Sequence, residues 1–155
     1  MVAFTRYVDR RQKEFMNRSL LIIEDDLDEL DFLARRFFRS GYHVFSANHP
    51  HQALEVARVR QFHVAIIDLS LRDRDRIEFV RSLKRYQDFV QLIVLSRYHK
   101  DREFQAKKEG AFAFLSKPCT WANLELAVED AWDRAWSERR RSERPAKGKR
   151  TTLSR

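Results

Sequence analysis

The sequence predicts an alternating α/β fold, a parallel five-stranded sheet built as strand–helix repeated five times, and three observations predict it. Runs of aliphatic and β-branched residues recur at Leu20–Ile23, His43–Ser46, Val64–Ile67, Gln91–Leu95 and Ala111–Leu115, with starts 20 to 27 residues apart. That distance holds one helix and two short loops each time. Four of the five runs are almost wholly apolar, the mark of strands covered on both faces as in a parallel sheet. Between the runs the apolar spacing changes to the helical period.

The first intervening segment places Leu30, Leu33, Ala34, Phe37 and Phe38 on one helical face and Arg35, Arg36 and Arg39 on the other. Gly41 follows as a residue that tolerates positive φ at the helix exit. The second helix carries Pro50 in its first turn and turns Ala53, Val56 and Ala57 inward. The third presents Ile77, Val80 and Leu83, and the fourth, about residues 100–109, is short, polar and ended by Gly110. The fifth starts at Thr120 as N-cap and points Trp121, Leu124, Val128, Ala131, Trp132 and Ala135 inward. Trp132 continues the core stripe. Trp136 falls near its edge, where packing in the core competes with service as an exposed anchor for a partner or second subunit.

The 155 residues suffice for one domain with a real core. The longest unbroken apolar run, Ala111–Leu115, has five residues, too few for a membrane span or a secretory core segment. With Cys119 as the single cysteine there is no intramolecular disulfide and no cysteine-built zinc site; a cytoplasmic protein is expected. The net charge of +8 sits at the ends: residues 1–18 hold five Lys/Arg against two Asp/Glu, and residues 138–155 hold eight against two. The body between them is nearly neutral, so nucleic acid is not the expected partner of the folded part. We read residues 1–17 as a partly disordered leader, with Met16 an alternative start, 18–137 as the folded domain and 138–155 as a basic disordered tail. Such a tail either solubilises the chain or attracts nucleic acid or an acidic lipid surface nonspecifically.

In an open parallel sheet, ligands gather beyond the carboxyl ends of the strands. The first run exits into Glu24-Asp25-Asp26, the third into Asp68, the fourth into Ser96 and the fifth into Ser116-Lys117-Pro118. Carboxylates crowded in one crevice repel, which favours a divalent cation. Oxygen ligands of this kind suit Mg²⁺. The acids also argue against a dinucleotide, since no G-x-G-x-x-G is present. An aspartate there can serve as a nucleophile toward phosphorus, giving an acyl phosphate. Each residue alone has an ordinary explanation, Glu24-Asp25-Asp26 as a helix N-terminus and Lys117 as a surface lysine; the constellation carries the inference.

The segment Leu20–Asp25, Asp68 within Val64-Ala-Ile-Ile-Asp-Leu, Ser96 after Leu92-Ile-Val-Leu, and Lys117-Pro118 together resemble the receiver domain of bacterial two-component response regulators over about residues 18–136. The resemblance implies a flavodoxin-like, doubly wound sheet of order 2-1-3-4-5. It implies that Asp68 is the phosphoacceptor for a sensor histidine kinase. It further implies that Asp25 binds Mg²⁺ directly, Glu24 through water and Ser70 through its backbone carbonyl, with Asp68 beside them. Lys117 and Ser96 would contact the phosphoryl oxygens, Ser96 and Phe114 would form the switch, and Lys117–Pro118 would be cis. The implied protein is a stand-alone phosphoacceptor rather than an enzyme, beyond slow self-dephosphorylation. Its output would pass to a protein target, a histidine phosphotransfer protein or a second copy of itself.

Three positions depart from the family pattern. Arg72 and Arg76 replace a usual proline and glycine after the acceptor, and an arginine tolerates positive φ poorly. Together with Arg74 they form either a solvated loop or a neutralising rim. Phe114 replaces a common tyrosine and has no hydroxyl to donate, and Cys119 stands where an apolar residue is common, as a small hydrophobe. These departures motivate a second reading, a receiver-like interaction module that is not phosphorylated; a third is a nucleic-acid adaptor working through the tail. The five histidines, His43, His49, His51, His63 and His99, show no metal-ligand grouping.

Overall fold

The computed structural model describes residues 18–68, 73–97 and 107–144, apart from the side chains of residues 73, 74, 76 and 77. The elements are β1 (Ser19–Glu24), α1 (Leu27–Arg39), β2 (His43–Ala47), α2 (Pro50–Val59), β3 (Val64–Asp68), α3 (Asp73–Tyr86), β4 (Gln91–Ser96), β5 (Ala113–Ser116) and α4 (Trp121–Ser142). All five strands pair in parallel in the order β2-β1-β3-β4-β5, the doubly wound arrangement expected. The leader, Ser70, Arg72, His99 and most of the expected fourth helix lie outside the described residues, as does the side chain of Arg76.

β1, β3 and β4 are buried along their whole length, which is why they read as continuous apolar runs. Alternation along these strands divides the core in two. Leu20, Ile22, Val64, Ile66, Ile93 and Leu95 pack with Leu30, Leu33 and Phe37 of α1 and Leu124, Val128, Ala131 and Trp132 of α4. Leu21, Ile23, Ala65, Ile67 and Leu92 pack on the other face with Ala53 and Ala57 of α2 and Phe79, Val80 and Leu83 of α3. Phe37 is fully buried, edge-on to Tyr42 at 5.5 Å and 4.6 Å from the Trp121 ring. Burying a side chain of this size stabilises the fold by roughly 1.5–3 kcal/mol.

The helix ends follow the sequence signals. Asp26 caps α1 by accepting from the N–H groups of Asp28 and Glu29 at 3.0 and 2.9 Å. Thr120 caps α4 by accepting from Asn123 N–H at 3.2 Å. Gly41 and Gly110 have φ of 90° and 104°, conformations that β-carbon-bearing residues avoid. Gln87, at the exit of α3, closes the opposite end of the domain. Its Nε2 donates to the Ala57 and Arg60 carbonyls at 2.6 and 2.7 Å while Oε1 accepts from Phe62 N–H at 3.0 Å. It thereby satisfies carbonyls that the end of α2 would otherwise leave without partners.

Two expectations need correction. Phe38 is 72% exposed, because it lies about 100° around the helix from Phe37 and falls off the inward stripe. The disordered tail does not begin at residue 138, since α4 continues to Ser142. Arg134–Glu138 and Arg139–Glu143 pairs at i, i+4 sustain those turns, and Glu138 also accepts from Gln91 Nε2 at 3.0 Å. Of the two roles open to Trp136, packing against the core is the one observed. Trp136 is half-buried and stacked on Trp132, with ring centroids 5.8 Å apart and planes within 8°.

Candidate functional site

Strand register brings the chemistry to one end of the sheet. Glu24 is the register partner of Asp68 across β1 and β3, and Ser96 that of Ser116 across β4 and β5. Alternation then selects a face. Ile22 and Ile66 point toward the layer of α1 and α4, as does Leu115, so Glu24, Asp68 and Lys117, each two residues further on, leave their strands on that same side. The first turn of α1 lies over this corner and adds Glu29.

The four side chains meet. Lys117 Nζ forms an ion pair with Asp68 Oδ2 and donates to Glu29 Oε1 at 2.8 Å, with Glu24 Oε2 at 3.9 Å. Glu24 and Asp68 are buried, at 2% and 7% exposure, and the Lys117 side chain is 13% exposed. Glu24 Oε1 accepts from Asp26 N–H at 2.9 Å, while Oε2 is buried with no hydrogen-bond partner among the described residues. Asp25 sits at the exposed rim beside Glu24. Ser96 is buried at 3% exposure, and its carbonyl accepts from Lys117 N–H at 2.8 Å, which ties the two strand exits together.

Burial raises the Glu24 pKa to about 9, helped by the neighbouring Asp68 and Asp25 carboxylates and opposed by the Asp26 N–H. For Lys117, burial works against the charge, but the hydrogen bonds to Asp68 and Glu29 outweigh it, and its pKa rises. Burial pushes the Cys119 thiol up as well, keeping it protonated and consistent with a packing role beside the α1–α4 core.

The donor set fits a hard divalent cation. The buried carboxylates of Glu24 and Asp68 place oxygens within 4.8 Å of each other, with a Glu29 oxygen at the same range, and Glu24 Oε2, buried without a hydrogen bond, is an oxygen that a cation would take as ligand. Glu29 was not among the residues picked out from sequence. Its signal there was that of a first-turn acid complementing the helix dipole, whereas its neighbour in space, Lys117, is 88 residues away. Glu29 and Lys117 also form the near wall of a cleft of about 650 Å³ between α1 and α4, floored by Leu33, Leu95, Trp121 and Leu124.

Residues 20–129 match the family model of the response regulator receiver domain. The chain belongs to this family. It is 28% identical over 113 residues to the transcriptional regulatory protein ZraR of Klebsiella oxytoca, covering 72% of the chain and 26% of that protein. Sporulation initiation phosphotransferase F of Bacillus subtilis is 27% identical, over 74% of the chain and 93% of its own length. The chain thus spans about a quarter of one relative and nearly all of the other. Among solved structures, a response regulator from Burkholderia pseudomallei, crystallised with a phosphorylated aspartic acid, calcium ion and citrate, superposes with a TM-score of 0.67 at 26% identity. That match covers 83% of this chain and 76% of the other.

The Lys117–Pro118 peptide is cis. Phe114 lies half-buried on the edge strand β5, in register with Val94. Among the described residues, no helix is long and apolar enough to cross a membrane.

Proposed function

We propose that Asp68 accepts a phosphoryl group from the phosphohistidine of a sensor histidine kinase, and that the phosphorylated chain signals by binding a protein target or by passing the group to a histidine phosphotransfer protein. The observation that carries this is the Lys117 ammonium held on the buried Asp68 carboxylate, beside the carboxylates of Glu24 and Glu29. One Asp68 oxygen attacks phosphorus, the P–N bond to the imidazole breaks, and the histidine leaves as the neutral base after protonation. The product is an acyl phosphate. Lys117 supplies positive charge where charge accumulates on the phosphoryl oxygens. Mg²⁺ would be held by Glu24, Asp68 and Asp25 with the Ser70 carbonyl, and would supply further charge neutralisation there.

The family, the relative named as a phosphotransferase and the neighbour holding a phosphorylated aspartic acid support this reading. The chain's own role is that of acceptor. Hydrolysis of the acyl phosphate by water then times the signal.

Incubation with acetyl phosphate and Mg²⁺, followed by intact mass spectrometry, tests it. Wild type gains one phosphoryl group, and Asp68→Asn gains none. A wild type that stays unmodified favours the interaction module that works without phosphate, the reading that Arg72 and Arg76 motivate.

A further inference from the structure

We propose that Glu29 is a positioning residue that competes with the phosphoryl group on Asp68 for the ammonium of Lys117, and so shortens the life of the phosphorylated form. The inference rests on the phosphoacceptor reading of Asp68 and concerns how long this chain holds its phosphate.

Lys117 has three N–H donors. One is directed to Asp68 and one to Glu29 Oε1 at 2.8 Å, while Glu24 Oε2 at 3.9 Å is beyond hydrogen-bond reach. The Glu29 bond therefore holds the ammonium partly on the α1 side of the site. Helix α1 does not need this carboxylate as its cap, because Asp26 already accepts from the N–H groups of residues 28 and 29. Burial does not fix it either: the Glu29 side chain is 35% exposed and lines the open cleft, whereas that of Lys117 is 13% exposed. The pair thus joins a confined cation to an anion that reaches water.

Phosphorylation of Asp68 replaces the single carboxylate charge with close to two negative charges on the phosphoryl group, and brings three strong acceptor oxygens. Those oxygens compete with Glu29 for the same N–H groups. Glu29 also offers an oxygen within 4.8 Å of an Asp68 oxygen, so its charge repels the incoming group at short range. Both effects disfavour the acyl phosphate relative to the free carboxylate and inorganic phosphate. Hydrolysis itself breaks the Asp68 O–P bond, with water supplying the new oxygen on phosphorus and Asp68 leaving as carboxylate.

The test uses the full chain loaded with acetyl phosphate and Mg²⁺, desalted, and followed by mass spectrometry as the phosphoryl group is lost. Glu29→Gln removes the charge and is expected to slow that loss about fivefold, on the scale of one partly screened charge at this distance. Glu29→Leu does the same, Glu29→Asp returns most of the wild-type rate, and the urea midpoints of all three stay close to wild type. The Mg²⁺ affinity of each is read separately from tryptophan fluorescence. Loss from Glu29→Gln within twofold of wild type, or faster, overturns the inference while leaving Asp68 as acceptor. A fall in Mg²⁺ affinity of more than about tenfold makes Glu29 a metal ligand instead, and likewise overturns it. A wild type that never takes up phosphate overturns both readings.

Discussion

The raised pKa of Glu24 makes divalent-cation binding depend on pH in a way that can be calculated. With a pKa of about 9 in the metal-free protein, Glu24 carries a proton at pH 7, and a cation that takes its carboxylate as ligand must expel that proton. One proton released per cation means that apparent affinity rises about tenfold for each pH unit below the pKa, or ~1.4 kcal/mol per unit. Between pH 6.5 and 8.5 the Mg²⁺ dissociation constant should fall by about a hundredfold. The slope depends only on the number of protons displaced. Calorimetric titration with Mg²⁺ in buffers of different ionisation enthalpy counts the protons directly, and Trp121 fluorescence gives an independent affinity. Glu24→Gln should flatten the dependence. The sign for folding is the reverse: because the folded state holds this proton more tightly than the unfolded chain, metal-free stability declines as pH rises from 4.5 toward 9. An affinity flat from pH 6.5 to 8.5, with no buffer-dependent heat, would refute the placement of Glu24 as a buried, protonated ligand.

Two further outcomes concern the far end of the sheet. Gln87→Ala removes three hydrogen bonds to backbone groups at a site 5% exposed, and should cost about 3–4 kcal/mol of unfolding free energy by urea titration, since the partners are left buried. His63 has its pKa lowered to about 4 by burial, reinforced by the charge of Arg139. The unfolded chain takes up that proton first, near pH 6.5, so the stability due to neutral His63 is complete above pH 6.5 and is lost as pH falls toward 4. Comparing urea midpoints at pH 7 and pH 4.5, the wild type should lose about 2 kcal/mol more than His63→Asn, in which an amide oxygen can still accept from Ser19 N–H in place of Nδ1. Equal losses would show that His63 is hydrated.

How much was legible in the sequence depended on whether a residue's environment is set by its own element. The strands β1, β3 and β4 were legible because burial on both faces excludes polar residues from four consecutive positions. Glu24, Asp68 and Lys117 were legible as strand-exit residues because a parallel sheet puts all its carboxyl ends on one edge. Glu29 was not, because its partner Lys117 comes from the other end of the chain and local spacing gives an acid in a first helical turn no reason to find it. Phe38 and the last turns of α4 misled for a related reason. A helical face has a width that counting apolar residues overstates, and a helix can continue on charge pairs after its apolar stripe has ended. Gln87 carries no sequence signal at all, since its three backbone partners are fixed only when α2, β3 and α3 are in place.

The register between Glu24 and Asp68 has a consequence for where this site keeps its demand for positive charge. Two neighbouring strands of a parallel ladder stand about 4.8 Å apart, and that spacing is common to every rung down to the sheet's middle. The two acids are therefore neighbours by construction, and no loop rearrangement can separate them without unzipping the last rung. Their need for a counter-charge is written into the buried central ladder of the sheet, leaving the surrounding loops free to differ in everything except what they deliver to it.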